Sequence, residues 1–345
     1  MKRFSGLFEK MACIDNIRAA HMAARKGKAH YTEVQLVDAN PDFYFNKIRN
    51  LLLSGKYRTS RYVEMTKRCR EKTRIIHKLP YFPDRIVHHC VVQVVSNIWD
   101  SVLIRDTYAC VPGRGIHAGV QRVMAALKDA DSTRHCLKMD VRQFYPSIDH
   151  DILKSIIRRK IKDQRMLAII DEIIDSARSG VPIGNYLSQH FGNLYLSGYD
   201  HWMKEQNRCR YYFRYCDDVV VLDSDKRRLH NLRIETQRFW STQLKLEIKN
   251  NWQVFPVNIR GIDFLGYRFF RGYTLLRKGI AVRYKRKMAA IRSGKPMPAA
   301  SIVSGAASYE GWMAHANCFN LKKHQHDAAV DTRIASARWQ LKEAA

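Results

Sequence analysis

The fold is decided at Tyr211-Tyr-Phe-Arg-Tyr-Cys-Asp-Asp-Val-Val-Val-Leu-Asp-Ser-Asp225, where two adjacent aspartates separate two runs of aromatic and β-branched residues. Such runs read as strands, and the acidic pair falls where a tight hairpin would turn. Turns favour Asp for backbone reasons alone. Side-by-side carboxylates, however, repel each other by ~1 kcal/mol in water and by more when partly desolvated. A cation such as Mg²⁺ relieves that repulsion.

A second acid stands in a matching position. Asp140 follows the apolar-rich Cys136-Leu-Lys-Met and precedes Val-Arg-Gln-Phe-Tyr-Pro-Ser-Ile148. A strand-end Asp can simply cap a helix. Beside an Asp-Asp hairpin in a strongly basic chain, it points instead to two-metal phosphoryl transfer. That chemistry needs carboxylates from two strands around ions about 3.5–4 Å apart. Because side chains alternate along a strand, Asp217 and Asp218 cannot serve one ion equally. Asp217 is expected to be the principal ligand and Asp218 the weaker one.

The charge balance fits a polyanionic partner. Sixty Lys+Arg against 32 Asp+Glu give a net charge of +28 in 345 residues. Repulsion on that scale is tolerable when nucleic acid neutralises it. From Lys56 to Lys78 there are nine Lys/Arg and two Glu, while Phe264 to Tyr309 holds ten Lys/Arg and no acid. A surface free of acids over that length is suited to lie along phosphates. No apolar run approaches the ~20 residues of a spanning helix, and the N-terminus lacks a signal-peptide core, so a soluble cytoplasmic protein without a membrane partner is expected. Eight cysteines without a CxxC pair read as reduced structural thiols. His315, Cys318, His324 and His326 have irregular spacing for a zinc site.

The element order is legible from periodicity. Residues 1–55 read as helices, with a start at Asn40-Pro41-Asp42, and Thr73–His77 reads as a cationic strand. Helices are expected from Ile86 and from Gly115. A strand then leads to Asp140, followed by helices over 150–161 and 166–178, a loop at 180–184 and a helix from Ser188. After the hairpin come a helix over 227–244 and short strands at LKLEI, WQVFPV and FLGYRFF. This order implies an α+β chain with an antiparallel sheet backed by helices.

The ordered set "LKMDVRQFYPSIDH" (137–150), "GVPIGNYLSQHFGNLYLSGYD" (180–200), "YCDD" (215–218) and "FLGYRFF" (264–270) resembles a reverse transcriptase, over roughly residues 56–270. The resemblance implies a right-hand polymerase fold: an N-terminal helical extension (1–55), fingers with part of the palm (56–135), an antiparallel-sheet palm (136–270) and a helical basic thumb (271–345). It implies two Mg²⁺ ions, with Mn²⁺ as a possible substitute, on Asp140, Asp217, Asp218 and the Val141 carbonyl. Tyr145 would be the gate against a 2′-hydroxyl. Lys72 and Arg74 would meet the triphosphate of a dNTP, with Arg85 as a supporting contact to template or nucleotide. Ile183 and Gly184 would cover the nascent base pair. Phe264, Leu265, Gly266 and Tyr267 would form a primer grip, and Arg283, Lys285 and Arg286 would hold nucleic acid.

"PIGNYLSQ" (182–189) narrows the resemblance to the reverse transcriptases of diversity-generating retroelements, which copy a template RNA with errors concentrated at adenine. Where generic intron and retron enzymes carry Pro-Gln-Gly, this chain has Pro182-Ile183-Gly184. "NWQVFPV" (251–257) and "SYEGWMAHANCFNL" (308–321) look like the same group, with Tyr309 and Trp312 as packing residues. The implied partners are a structured template RNA, its primer and cDNA, and a small basic accessory protein, commonly an oligomer. One departure concerns a pyrophosphate-protonating Lys of many relatives. Trp252 stands there by register and Lys249 three residues earlier, so no general acid is assigned. The alternatives are a retron- or group II intron-type enzyme, or an inactive RNA-binding scaffold. Three convergent carboxylates argue against the scaffold.

Overall fold

The computed structural model describes residues 2–69 and 72–343. The chain forms two compact units, each drawn from separated stretches: Met1–Val111, Met139–Arg208 and Leu232–Trp252 make the first, and Pro112–Lys138, Cys209–Asn231 and Gln253–Ala345 the second.

The first unit is mostly helical. Its centre is the helix Ile86–Asp100, in which Val87, Val91, Val95 and Trp99 are buried along with most of their neighbours, while Gln93 and Asn97 are exposed. Five valines favour strands by local propensity, but here burial of most of the helix surface outweighs that preference. Ile14–Ala24 lays Ile17, Ala20 and Ala24 against it. The helices Thr32–Ala39 and Pro41–Leu53 complete the expected N-terminal helical stretch, and Pro41 occupies the first turn, where its missing N–H costs nothing. Two strands, β1 (Val63–Cys69) and β2 (Lys72–Lys78), form an antiparallel hairpin. The helices His150–Arg158, Gln164–Asp175 and Ser188–His201 supply the remaining core.

The second unit is built on sheets. Strands β3 (His135–Asp140), β4 (Tyr211–Tyr215), β5 (Asp218–Asp223) and β6 (Gln253–Pro256) lie in the order β4-β5-β3-β6, and the last two residues of β3 belong to the first unit. Tyr212, Phe213 and Arg214 are buried in succession, as are Val219 to Leu222. A half-solvated sheet would alternate, so these strands are covered on both faces. A second antiparallel sheet holds β7 (Ile262–Phe264), β8 (Tyr267–Phe270) and β9 (Tyr273–Leu276). The helices Lys278–Arg292, Ala299–Met313 and Ala328–Glu343 follow.

Three expectations need correction. LKLEI is not a strand: Leu244 and Leu246 both donate to the Trp240 carbonyl and close the preceding helix, with Lys245 at φ 49°. Only Ile248 is left, in an isolated bridge to Val141. FLGYRFF is not one strand, because Leu265 and Gly266 carry φ of 54° and 85° and make a two-residue hairpin turn between β7 and β8. Positive φ at both central residues matches the twist of the flanking strands. Finally, β9 falls within the stretch expected to be helical.

Cys13, Cys90, Cys110, Cys136 and Cys318 are free thiols. Among the described residues no trio of His, Cys, Asp or Glu side chains is grouped to hold a metal, the residues at 315–326 included. Nor is any described helix long and apolar enough to cross a membrane.

Candidate active site

Asp217 and Asp218 sit at the β4–β5 hairpin. Tyr215 pairs with Asp218, so the turn consists of Cys216 and Asp217, with Cys216 at φ 53°. Arg214, fully buried in β4, donates from Nη1 to the Cys216 carbonyl at 2.8 Å and braces this turn from inside. Sequence reasoning overlooked Arg214. The available signal was a lone cation in an otherwise apolar strand. Beside the turn, Lys138 of β3 places its ammonium 3.3 Å from Asp218 Oδ2 and also donates to the Asp263 carbonyl.

Asp140 ends β3 within the first unit. Its carbonyl accepts from Lys249 N at 2.8 Å, and its Oδ2 lies 3.3 Å from the Lys249 ammonium. Arg142 N donates to the Glu247 carbonyl on the other side of the Val141–Ile248 bridge. In a bridge of this kind the flanking residues make the bonds, so it does not use the Val141 carbonyl. The donors suit a hard divalent cation: carboxylates and one main-chain oxygen. The Asp140 and Asp218 side chains are 29% and 27% exposed, open to a hydrated ion, and each has a lysine ammonium 3.3 Å away.

The Tyr145 ring packs against Phe144 at 5.3 Å, over Gly192 of the helix Ser188–His201. Its carbonyl accepts from Val181 N, and a Cβ on Gly180 would stand 2.4 Å from that oxygen, so only glycine lets this loop approach. In the same loop the Ile183 carbonyl accepts from His77 N at 2.8 Å, tying it to β2. Gly184 has φ 109°, and a Cβ there would meet Ile76 Cγ2 at 2.7 Å. Asn185 donates to Tyr62 Oη, and Ser188 to the Pro182 carbonyl.

Arg74 is exposed and lies opposite Lys67 in the β1–β2 register. Cations facing each other across a ladder destabilise it unless an anion intervenes. Lys72 opens β2, but its side chain lies outside the described residues. Arg85 ends the short turn Tyr81–Arg85 before the central helix.

Phe264, Leu265 and Tyr267 are buried, and Tyr267 Oη donates to the Trp312 carbonyl. What the β7–β8 turn offers outward is therefore main chain. Arg283, Lys285 and Arg286 stand exposed on the helix Lys278–Arg292, opposite its buried Ile280, Tyr284, Met288 and Ile291. A groove of about 440 Å³ beside them is lined by Arg283, Lys287, Ser301, Ser304, Ser308 and Trp312.

Each unit carries acids at a strand end, Asp140 in the first and Asp217 and Asp218 in the second, and these are the donor types that nucleotidyl transfer uses. Residues 65–269 match the family described as Reverse transcriptase (RNA-dependent DNA polymerase), and the chain belongs to that family. It is 25% identical over 270 residues to protein YkfC of Escherichia coli (strain K12), covering 65% of this chain and 70% of that protein. It is 24% identical over 212 residues to the group II intron-encoded protein LtrA of Lactococcus lactis subsp. cremoris, covering 57% of this chain but 35% of that one. Among solved structures, apo telomerase from Candida tropicalis superposes with a TM-score of 0.52 at 11% identity, covering 82% of this chain and 58% of the telomerase. The α+β, right-hand polymerase fold expected from the sequence is thereby borne out.

Proposed function

We propose that the chain is an RNA-templated DNA polymerase in which Asp140, Asp217 and Asp218 act together, with the Val141 carbonyl, to hold two Mg²⁺ ions. The observation that carries this reading is the family match across 65–269, which contains all three acids. When bound, the ions would activate the primer 3′-hydroxyl and offset charge on the leaving pyrophosphate. Arg214 fixes the turn that presents Asp217. Lys249 and Lys138, each with its ammonium 3.3 Å from a carboxylate oxygen, orient Asp140 and Asp218. Lys72 and Arg74 receive the triphosphate, Arg85 is a supporting contact to template or nucleotide, and Tyr145 closes the space a 2′-hydroxyl would need. Residues 56–135, 136–270 and 271–345 serve as fingers, palm and thumb, with Arg283, Lys285 and Arg286 along the phosphates.

Within this class the reading is a diversity-generating retroelement enzyme, cytoplasmic, working with a structured template RNA and a small basic accessory protein. Its support is Pro182-Ile183-Gly184-Asn185. An aliphatic Ile183 donates no side-chain hydrogen bond to the nascent pair, and one such bond is worth roughly 0.5–1.5 kcal/mol. Correct geometry is then rewarded less. A second reading, an intron-type enzyme, draws on the likeness to LtrA.

Primer extension on one defined RNA decides between them. Frequent errors opposite adenine, reduced several-fold by Ile183→Gln, support the retroelement. A faithful wild type returns the chain to the intron or retron class. Extension of ribonucleotides by Tyr145→Ala, but not by wild type, tests the gate.

A further inference from the structure

Tyr186 lies in the loop that follows Ile183 and Gly184, and it is 37% exposed. Its ring stacks on His89 with centroids 3.9 Å apart and planes within 8°. His190 approaches its edge at 6.0 Å. His89 is 7% exposed, and its Nε2 is buried without a hydrogen-bond partner. An imidazole tucked beneath a half-exposed phenol fixes that ring in place, which makes a rigid aromatic shelf.

The charges around the shelf share one sign. Burial first, then Arg85 and then Lys28, together lower the His89 pKa to about 4, so the stack is uncharged at neutral pH. Burial followed by Arg85 also lowers the pKa of Lys28. Among the described residues neither Arg85 nor Lys28 pairs with a carboxylate, and Arg85 Nε is buried without a partner. Two neighbouring cations left unneutralised are a receptor for an anion, and here an aromatic face lies beside them.

We propose that Tyr186, backed by His89 and flanked by Arg85 and Lys28, binds one nucleotide of a single-stranded polynucleotide. The base stacks on the ring face turned away from His89, and the phosphate lies between the two cations. Stacking of this kind is sequence-tolerant, because every base has a π-face. Under the polymerase reading the strand is the template just ahead of the copied position. Binding itself requires no catalysis.

The test uses the full chain without metal or free nucleotides, titrated into a single-stranded RNA carrying 2-aminopurine. Wild type quenches the fluorescence on binding. Tyr186→Leu weakens binding about tenfold and loses most of the quench at saturation, while Tyr186→Phe retains both. Arg85→Ala and Lys28→Ala keep the quench at saturation but reduce the salt slope by up to about 0.7 each. Unchanged melting temperatures show that the variants are folded. The proposal is overturned if Tyr186→Leu binds and quenches like wild type, or if blunt duplex loses affinity equally. Quenching confined to free 2-aminopurine deoxynucleoside triphosphate also overturns it, and assigns the shelf to the incoming nucleotide. Primer extension by wild type, abolished by Asp217→Ala, is read in a separate reaction, so failure of the polymerase reading stays distinguishable.

Discussion

Two hairpins of the second unit turn in the same number of residues and solve opposite problems. β4 and β5 turn through Cys216-Asp217, while β7 and β8 turn through Leu265-Gly266. In the first, Cys216 holds φ 53° although a side chain disfavours it. The Arg214 guanidinium grips its carbonyl from the core. In the second, glycine takes the more positive φ, and the Trp312 ring fills the space above it. The acidic turn accepts backbone strain to present side chains. The glycine turn removes a side chain so that backbone and an indole can meet. Both turns carry a left-handed side chain at their first position, Cys216 at φ 53° and Leu265 at φ 54°, and they part at the second, Asp217 in one and Gly266 in the other.

The comparison predicts that side-chain loss matters chemically at one turn and structurally at the other. The largest effect is expected for Asp217→Ala, and likewise Asp140→Ala. Primer extension should fall by more than about a thousandfold through lost metal binding, with little change in melting temperature. Extension at a near-normal rate by either variant removes these residues from the metal site.

At the second turn the expectation inverts. Gly266→Ala forces a Cβ to 2.7 Å from Trp312 Cζ3 at φ 85°. A loss of about 2 kcal/mol of stability follows, visible in chemical denaturation. A variant as stable as wild type would mean that Trp312 moves aside readily, and that the turn is not fixed by that contact.

A smaller effect lies at the root of the acidic hairpin. Tyr211 Oη donates to Asp129 Oδ2 at 2.7 Å, and Arg210 pairs with the same oxygen. The Tyr211 hydrogen bond, followed by the Ser132 main-chain N–H, holds the Asp129 carboxyl below its ordinary range. A depressed carboxylate stabilises the fold above its unfolded value, about 3.9, and ceases to do so as pH falls through the folded value. Tyr211→Phe should therefore melt slightly earlier than wild type at pH 7. The gap should close as the pH drops below about 4. A gap that persists in acid assigns the tyrosine a packing role only.

Much of this was legible in the sequence because it is local. Asp140, Asp217 and Asp218 stand next to runs whose composition marks a strand, so their positions at strand ends could be read directly. The turn at Leu265-Gly266 could not, since leucine gives no sign of a positive φ. LKLEI looked like a strand because nothing in its composition shows that Leu244 and Leu246 are needed to close a helix. The Tyr186–His89 shelf joins residues nearly a hundred positions apart, and each alone resembles an ordinary packing residue. Arg214 was visible as a letter, but its use in the turn depends on burial.

The smallest expected effect sharpens the contrast most directly. Cys216→Gly places at the first position of the acidic turn the residue type that the other turn uses only at its second. Releasing a left-handed side chain should gain roughly 1 kcal/mol, and the freer unfolded chain should take back roughly 0.5–1 kcal/mol. Stability should then stay within about 0.5 kcal/mol of wild type, in contrast to Gly266→Ala. Activity distinguishes two roles for the strain. If Arg214 alone fixes the turn, its bond to the main-chain carbonyl survives the substitution and extension is unchanged. If the side chain at 216 helps to aim Asp217, extension falls while stability holds, and the metal concentration for half-maximal rate rises. A Cys216→Gly variant that is clearly destabilised would show that the thiol packs in the folded state.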